Sequence, residues 1–528
     1  MTKLNGNGEK VKSMESWIWD AACSIRGAAD AAKYKDYILP LIFIKRLCDV
    51  FDDEIDRIAE KVKSRTKALQ LVERDKLLVR FYLPMRPKDL EKESTWDVIR
   101  TLSDKIGQQL TDILRLVARE NNGLQGIIDR IDFNATTHGQ RDIDDDRLSK
   151  LIEKVAEKRL GLNDVELDII GRSYEYLIRK FAEGSGQSAG EFYTPAEVGL
   201  IMAKIMDAEP GMEIYDPTCG SGGLLIKCQL VMDEKMRTLR LPKGEDIKYA
   251  SLKLFGQEFT PSTWAMSKMN MVIHDMEGEI EIGDTLKNPK FRNKNKLKTF
   301  DRVVANPMWN QGRDSLPYIN DDFFINDEMV RFPAGSCGGK IDWGWMQHIY
   351  SSLNDKGRAA VILDTGAASR GSGNQGNNKE KDCRKWFVDN DLIEGVIYLP
   401  ENLFYNTTAP GIVIFLNKNK KHKDKMYLLH AGKEFEKGDP KNYITDAGIE
   451  KISEYFKAFK EEEKFSRLVS KEEIIKNDYN ISPSRYIQIA DAEIYRPIDE
   501  LVEELNILEE EAIQVDKELK SIFEKLGI

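Results

Sequence analysis

The chain has 528 residues, 41% hydrophobic and 32% charged, with a formal net charge of −10 at pH 7. That length supports several domains of about 100 to 200 residues each, and the balance excludes a fibrous or disordered chain. No apolar run approaches the ~20 residues of a bilayer span and no signal-peptide core follows the N-terminus, so a cytoplasmic protein without membrane contact is expected.

From Met14 to about Leu160 the sequence reads as helix after helix. Trp17, Ala21, Ile25, Ala28 and Ala32 recur at three- and four-residue steps and predict a helical stripe, which Pro40 is expected to break. "DRLSKLIEKVAEKR" repeats the pattern. A further helix is predicted with Leu167, Ile170, Tyr174, Leu177 and Phe181 on one face, ending in the Gly/Ser-rich "EGSGQSAG".

After Glu191 the texture changes to short apolar strands separated by helices. Seven strands are predicted near Met212 to Tyr215, Leu252 to Gln257, Glu279 to Ile282, Arg302 to Ala305, Arg358 to Asp364, Leu392 to Tyr398 and Gly411 to Leu416. Helices are predicted at Pro195 to Met206, Gly223 to Met232, Thr263 to Val272, Trp343 to Leu353 and Lys381 to Asp389. Such alternation implies a mostly parallel sheet that binds ligands at the carboxyl ends of its strands. Two connections are long, Asn310 to Asp342 and the Gly/Asn-rich stretch 370–378, a length typical of lids or mobile segments.

The last 31 residues carry Ile498, Leu501, Leu505, Leu508, Ala512, Val515, Leu519, Ile522 and Leu526 at alternating three- and four-residue steps, four heptads with an acidic outer face. Residues 498–528 hold ten acids against three lysines, so the rest of the chain is nearly neutral and has room for local basic patches. The six cysteines follow no Cys-x-x-Cys spacing and read as reduced thiols. The five histidines form no ligand cluster, so no metal site is expected.

The densest signal is "GEFYTPAEVG" followed by "EIYDPTCGSGG". A strand leads into Asp216 and Pro217, then Gly220, Ser221, Gly222 and Gly223 let the backbone turn sharply before a helix whose first N–H groups can face a ligand. Thr194, Pro195 and Glu197 read as N-cap, N1 and N3 of a helix start. The next strand ends in Glu258, an acid suited to a ribose's two hydroxyls. The third ends before Asp284, placed where an adenine amino group could donate to it. Together these residues resemble the S-adenosylmethionine site of amino-methyltransferases. By that resemblance Glu191, Phe192, Tyr193, Thr194, Pro195 and Ala196, with Ser221 to Gly223, line the methionine end of the cofactor, and Glu258 binds its ribose.

The fourth strand runs into Asn306, Pro307, Met308 and Trp309. Alone, these residues would read as a strand-ending turn; behind the cofactor motifs they suggest chemistry. An exocyclic amine resists methylation because its lone pair is conjugated into the ring. Two acceptors gripping its N–H bonds turn the nitrogen toward a tetrahedral shape, and the Asn306 side-chain oxygen and the Pro307 carbonyl can be those acceptors. Trp309 would stack on the base. The family pattern is Asn-Pro-Pro-aromatic; Met308 in place of the second proline leaves the gripping groups but frees one φ angle. A cytosine-C5 methylase would need a cysteine after a proline, and no Pro-Cys pair occurs.

"GRSYEYLIRKFAEGSGQSAGEFYTPAEV", "IRGAADAAKYKDYILPLIFIKRLCDVF" and "LPENLF" followed by "TTAPGIVIFLNK" resemble the modification subunit of type I restriction-modification systems. The resemblance implies an α/β chain in three parts. An all-helical N-terminal domain would span 1–165. A class I S-adenosylmethionine-dependent methyltransferase domain, a mostly parallel seven-stranded sheet flanked by helices, would span 166–480. A coiled-coil-like helical tail docking a specificity subunit would span 481–528. It further implies N6 methylation of an adenine flipped out of double-stranded DNA, at a sequence read by that specificity subunit. Two modification subunits per specificity subunit, a separate restriction and motor subunit, and protection of host DNA are implied with it. Two alternatives share parts of this pattern. A protein-glutamine N-methyltransferase uses the same Asn-Pro chemistry, but the large helical region argues against it. A non-catalytic scaffold is opposed by the intact Asp216, Glu258 and Asn306.

Overall fold

The computed structural model describes residues 14–25, 35–162 except 138, then 164, 176, 194–239, and 249–488 except 313, 375, 405–406 and 439–440, with 505, 508, 509 and 515 of the tail. The N-terminal region comprises α1 (Met14–Cys23), α2 (Lys35–Val62), α3 (Arg65–Arg74), α4 (Thr95–Arg100), α5 (Ile106–Glu120) and α6 (Asp145–Ala156). A short hairpin, β1 (Thr136–Thr137) and β2 (Gln140–Arg141), precedes α6. Trp17, Ala21 and Ile25 of the predicted stripe are buried; Ala28 and Ala32 lie outside the described residues.

Pro40 does not break the helix as expected. It sits inside α2, near its start. The bond it cannot donate would have ended on Asp36, in the first turn, so the ladder is interrupted only at its edge. Ile38, Leu39, Leu41, Ile42 and Phe43 around it are fully or almost fully buried, and their packing offsets the roughly 3 kcal/mol of an interior proline.

The chain continues with α7 (Ala196–Met206), β3 (Glu213–Asp216), α8 (Gly223–Thr238), β4 (Lys253–Glu258), α9 (Pro261–Ile273) and β5 (Gly278–Ile282). A small hairpin, β6 (Arg292–Asn293) and β7 (Lys296–Leu297), leads to β8 (Phe300–Ala305), α10 (Asp321–Ile325), α11 (Asp342–Ser351), β9 (Leu353–Asp364) and α12 (Lys379–Asp389). Then come β10 (Ile393–Tyr398), β11 (Gly411–Asn417), β12 (Lys425–His430), α13 (Asp446–Ala458), β13 (Ser466–Ser470) and α14 (Lys471–Lys476). Every predicted strand and helix from Pro195 to Leu416 is present. The main sheet, however, has nine strands in the order β13-β12-β10-β11-β9-β8-β3-β4-β5, not seven. The seven predicted strands are contiguous in it. The two additions are β12, whose apolar "MYLL" follows a lysine-rich run, and β13, an edge strand with only Leu468 and Val469 apolar.

The pairs β9/β8, β8/β3, β3/β4, β4/β5 and β10/β12 are parallel, while β11 inserts antiparallel between β9 and β10. The carboxyl ends of β3, β4, β5, β8 and β9 therefore share one edge of the sheet. Alternate residues face opposite sides, and each side has its own core. Ile214, Leu254, Ile280 and Val304 join a cluster that takes in α7, α8, α9, α13 and the N-terminal helices. Tyr215, Phe255, Val303 and Ala305 join the other, with Trp343 and Ile349 of α11 and Phe387 of α12.

The helical region docks where α2 meets α9. The Arg130 guanidinium lies 5.3 Å over the Trp264 ring and Arg80 pairs with Asp275 at 2.9 Å. The 310–342 connection is packed: Ile319, Phe324, Phe332, Cys337 and Ile341 are buried in the second core. Ile481 and Ile487 are buried, and the Ile481 N–H donates to the Ala368 carbonyl. Of the heptad stretch only Leu505, Leu508, Glu509 and Val515 are described; all are helical, and the three apolar ones are exposed. The predicted helix at 167–181 lies outside the described residues apart from Tyr176. All six cysteines are unpaired. Among the described residues no helix is long and apolar enough to cross a membrane.

Candidate active site

At the end of β3 the buried Asp216 carboxylate takes the Thr218 N–H at 2.9 Å and starts the glycine turn. Each step of that turn is tied to a neighbouring strand or helix. Cys219 N–H donates to Gln257 O on β4 (3.0 Å), Gly220 N–H to Glu258 Oε2 (3.0 Å), Asn270 Nδ2 on α9 to Ser221 O (3.0 Å), and Thr285 Oγ1 to Pro217 O (2.6 Å). Two glycines are required for different reasons. Gly222, at φ +79°, caps α8, and a Cβ there would lie 2.9 Å from Ser267 Oγ and 3.0 Å from Met271 Cε. Gly220, at φ +53°, has no atom within 4 Å of where a Cβ would stand; its face of the turn is open. No side chain caps the start of α8, which leaves the positive end of that helix to a ligand.

The turn forms one wall of a cleft of about 400 Å³, open to solvent, whose lining includes Thr194, Asp216, Gly220, Ser221, Gly223 and Asn306. Thr218, Cys219, Leu224 and Lys227 complete it; the first two stand within the glycine motif, and the last two are not singled out by the sequence motifs. Burial pushes the Asp216 carboxyl up to about 8, and the nearby Glu258 adds to the shift against the opposing Thr218 hydrogen bonds. A cationic ligand would relieve that penalty. Burial also pushes the Cys219 thiol well above its ordinary value, so this cysteine is no thiolate nucleophile. Glu258 also accepts from Thr260 N–H at 2.8 Å. Asp284 does not line the cleft: its carboxylate takes the Leu286 and Lys287 N–H groups (3.0 and 3.1 Å) and the Tyr318 hydroxyl (2.5 Å). Glu191, Phe192 and Tyr193 lie outside the described residues.

Asn306 follows β8, the strand next to the one that ends in Asp216, and is 7% exposed. Its Nδ2 donates to Thr194 Oγ1 at 3.0 Å, and its Oδ1 accepts from Trp309 Nε1 at 3.2 Å. An indole N–H can only donate, so the atom facing it must be the amide oxygen. Thr194 is thus not the helix cap expected of it. The cap is Pro195, with Ala196 the first helical residue, and the Thr194 hydroxyl is committed to Asn306. Pro307 is buried, and among the described residues nothing donates to its carbonyl. The half-buried Trp309 ring meets Phe404 edge-on, centroids 4.8 Å apart, over Gly411, where a Cβ would come within 3.0 Å of the indole. Phe404 belongs to "LPENLF", which carries the family resemblance without showing which of its residues turns toward the site.

The arrangement joins a glycine turn over a buried carboxyl to an asparagine whose carboxamide is locked in one orientation. A family model described as N-6 DNA methylase matches residues 165–494, and one for the HsdM N-terminal domain matches residues 14–155. The chain belongs to the N-6 DNA methylase family, among the methylase subunits of type I restriction enzymes. It is 32% identical to the type I restriction enzyme MjaVII methylase subunit of Methanocaldococcus jannaschii over 85% of this chain and 74% of that protein. Its identity to the MjaIX methylase subunit of the same organism is 29%, over 98% and 92%. The crystal structure of the type I restriction-modification system methyltransferase subunit from Streptococcus thermophilus superposes with a TM-score of 0.70 at 26% identity, covering 90% of this chain and 99% of that one. Family membership accounts for the helical N-terminal region and the catalytic sheet in one polypeptide.

Proposed function

We propose that this chain is the modification subunit of a type I restriction-modification complex and methylates the N6 amine of an adenine rotated out of duplex DNA. The observation that carries the chemistry is that Asn306, with its amide oxygen fixed, shares one cleft with the Asp216 glycine turn. The residues fit S-adenosylmethionine: an open face at Gly220, an uncapped helix start and a buried carboxyl that a cation would stabilise in its charged form. Gly220 to Gly223 and Asp216 would hold its methionine end and Glu258 its ribose, while Asp284, outside the cleft and bonded to Tyr318, would reach its adenine only if the Tyr318 hydroxyl gave way. When bound, it supplies an electrophilic methyl group on a sulfonium centre.

The chain's own residues act on the acceptor. A carboxamide oxygen has two lone pairs, so Asn306 Oδ1 can keep the Trp309 N–H and still accept one amine hydrogen; the Pro307 carbonyl accepts the other. This grip favours the pyramidal nitrogen of the transition state over the planar ground state. Trp309, backed by Phe404, stacks on the extruded base for about 1–3 kcal/mol, against the few kcal/mol of unstacking. The partners follow from the same reading: double-stranded DNA, a specificity subunit that reads the sequence, docked on the exposed heptad residues of the tail in a two-to-one assembly, and a restriction subunit.

Asn306→Ala tests the site. Tritiated methyl transfer to DNA should be abolished while S-adenosylmethionine binding stays nearly intact; loss of binding would show the site to be misplaced. Transfer to protein in place of DNA would overturn the substrate.

A further inference from the structure

Asn310 follows Trp309 directly and has φ +56°, a left-handed conformation that side-chain-bearing residues seldom adopt without support. Three contacts hold it. Its N–H donates to Asp342 Oδ1 at 3.1 Å, its carbonyl accepts from Lys340 Nζ at 2.9 Å, and its side-chain oxygen accepts from Arg370 Nη1 at 2.9 Å. Arg370 opens the Gly/Asn-rich stretch. Its guanidinium also bonds Asp342 through Nη2, Glu380 through Nε and Asp364 Oδ2 through Nη1 at 3.1 Å. The Asp342 side chain is fully buried and that of Glu380 nearly so. The backbone of this segment is fixed as well: the buried Arg384 of α12 donates to the Arg370 carbonyl at 3.0 Å and the Ala367 carbonyl at 3.2 Å.

One cation therefore faces three acids yet directs a donor to a neutral amide of the catalytic loop. That loop has a gap in its own stiffness at Met308, where a second proline would fix φ. Its near end is set by β8, and Arg370 with Asp342 sets its far end. We propose that Arg370 is a positioning residue for methyl transfer: through Asn310 it holds the turn that aims the Trp309 indole, and through the indole N–H the carboxamide of Asn306. This rests on the methyltransferase reading above and adds to it.

The test is a double-mutant cycle in the full chain co-expressed with the neighbouring open reading frames. Arg370→Lys keeps the charge among the three acids, but one ammonium cannot span Asn310, Asp342 and Glu380 together. Asn310→Gly adopts positive φ freely, keeps both backbone contacts and removes the side chain whose oxygen Arg370 grips. The initial rate of tritium transfer from S-adenosylmethionine to unmethylated genomic DNA should fall about ten- to hundredfold in each. Cofactor Kd should stay within about twofold, and the double variant should be no slower than the slower single one, because both act through a single contact. Wild-type rates in Asn310→Gly, losses that multiply in the double variant, or a loss confined to cofactor Kd would each overturn the proposal. A crystal structure of Asn310→Gly reads the clamp without turnover. The indole to Asn306 hydrogen bond should be lost there, and its retention would refute the clamp even if the wild-type complex proved inactive on DNA, which would instead refute the function.

Discussion

Replacing Thr194 by valine keeps nearly the same shape and removes one oxygen. That oxygen is the acceptor for Asn306 Nδ2, at 3.0 Å, in a site where Asn306 is 7% exposed. A buried amide N–H without a partner costs about 1–3 kcal/mol, and the net worth of such a neutral hydrogen bond is about 0.5–1.5 kcal/mol. Only the 3.2 Å contact from Trp309 Nε1 would then bias the carboxamide toward its working orientation. If the amide must recover that orientation in the transition state, a loss near 1.4 kcal/mol lowers kcat about tenfold. The assay is methyl transfer under saturating cofactor and DNA, beside a calorimetric titration of S-adenosylmethionine. Thr194→Val should lose about tenfold in kcat with cofactor Kd changed by no more than a few-fold, and Thr194→Ser should recover most of the rate. The reasoning fails if the valine variant turns over like the parent, if serine is as slow as valine, or if the deficit lies wholly in cofactor affinity.

Two glycine substitutions should separate binding from folding. Gly220→Ala meets no atom within 4 Å, so it should lower the melting temperature only by the roughly 1 kcal/mol of left-handed strain while its Cβ obstructs the cofactor and raises Kd more than tenfold. Gly222→Ala, crowded by Ser267 and Met271, should lose stability and affinity together. Because Asp216 is shifted up to about 8, the folded protein holds a proton there that the unfolded chain releases near pH 4. Stability of the cofactor-free protein should therefore fall as pH rises from about 4 to 8, by at most ~1.4 kcal/mol per unit from this group. Melting curves across that range should show the slope reduced in Asp216→Asn, and an unchanged slope would exclude Asp216 as its source. Trp264→Ala should cost about 3–5 kcal/mol and expose the helical region to limited proteolysis before the catalytic sheet.

The parts of the site legible in the sequence are those made of neighbours along the chain. An apolar run followed by Asp216, Pro217 and four small residues can only be a strand that ends in a tight turn, and Asn306 to Trp309 occupy the equivalent place on the fourth strand. The parts that escaped are made of residues far apart. Thr194 and Asn306 are separated by 112 positions, so nothing local distinguishes a hydroxyl that caps a helix from one that orients an amide. Phe404 against Trp309 and Arg370 against Asn310 are hidden for the same reason. Pro40 misled because its local propensity is real but is outweighed by the buried apolar residues on both sides of it. Strand β12 follows a run of lysines that masks it, and the edge strand β13, Ser-Arg-Leu-Val-Ser, offers too few apolar residues to mark it.

Helix α9 connects what the sequence presents as separate domains. Along it stand Trp264, beneath Arg130 of the helical region, Ser267, against Gly222, and Asn270, which donates to the Ser221 carbonyl. The same helix touches α2, and the core it lines runs without interruption from Trp17 to Phe465. A densely packed core does not deform continuously, and α9 is the element through which a displacement of the N-terminal helices would meet the Ser221 carbonyl and Gly222. The helical region and the turn that follows Asp216 therefore share one continuous core.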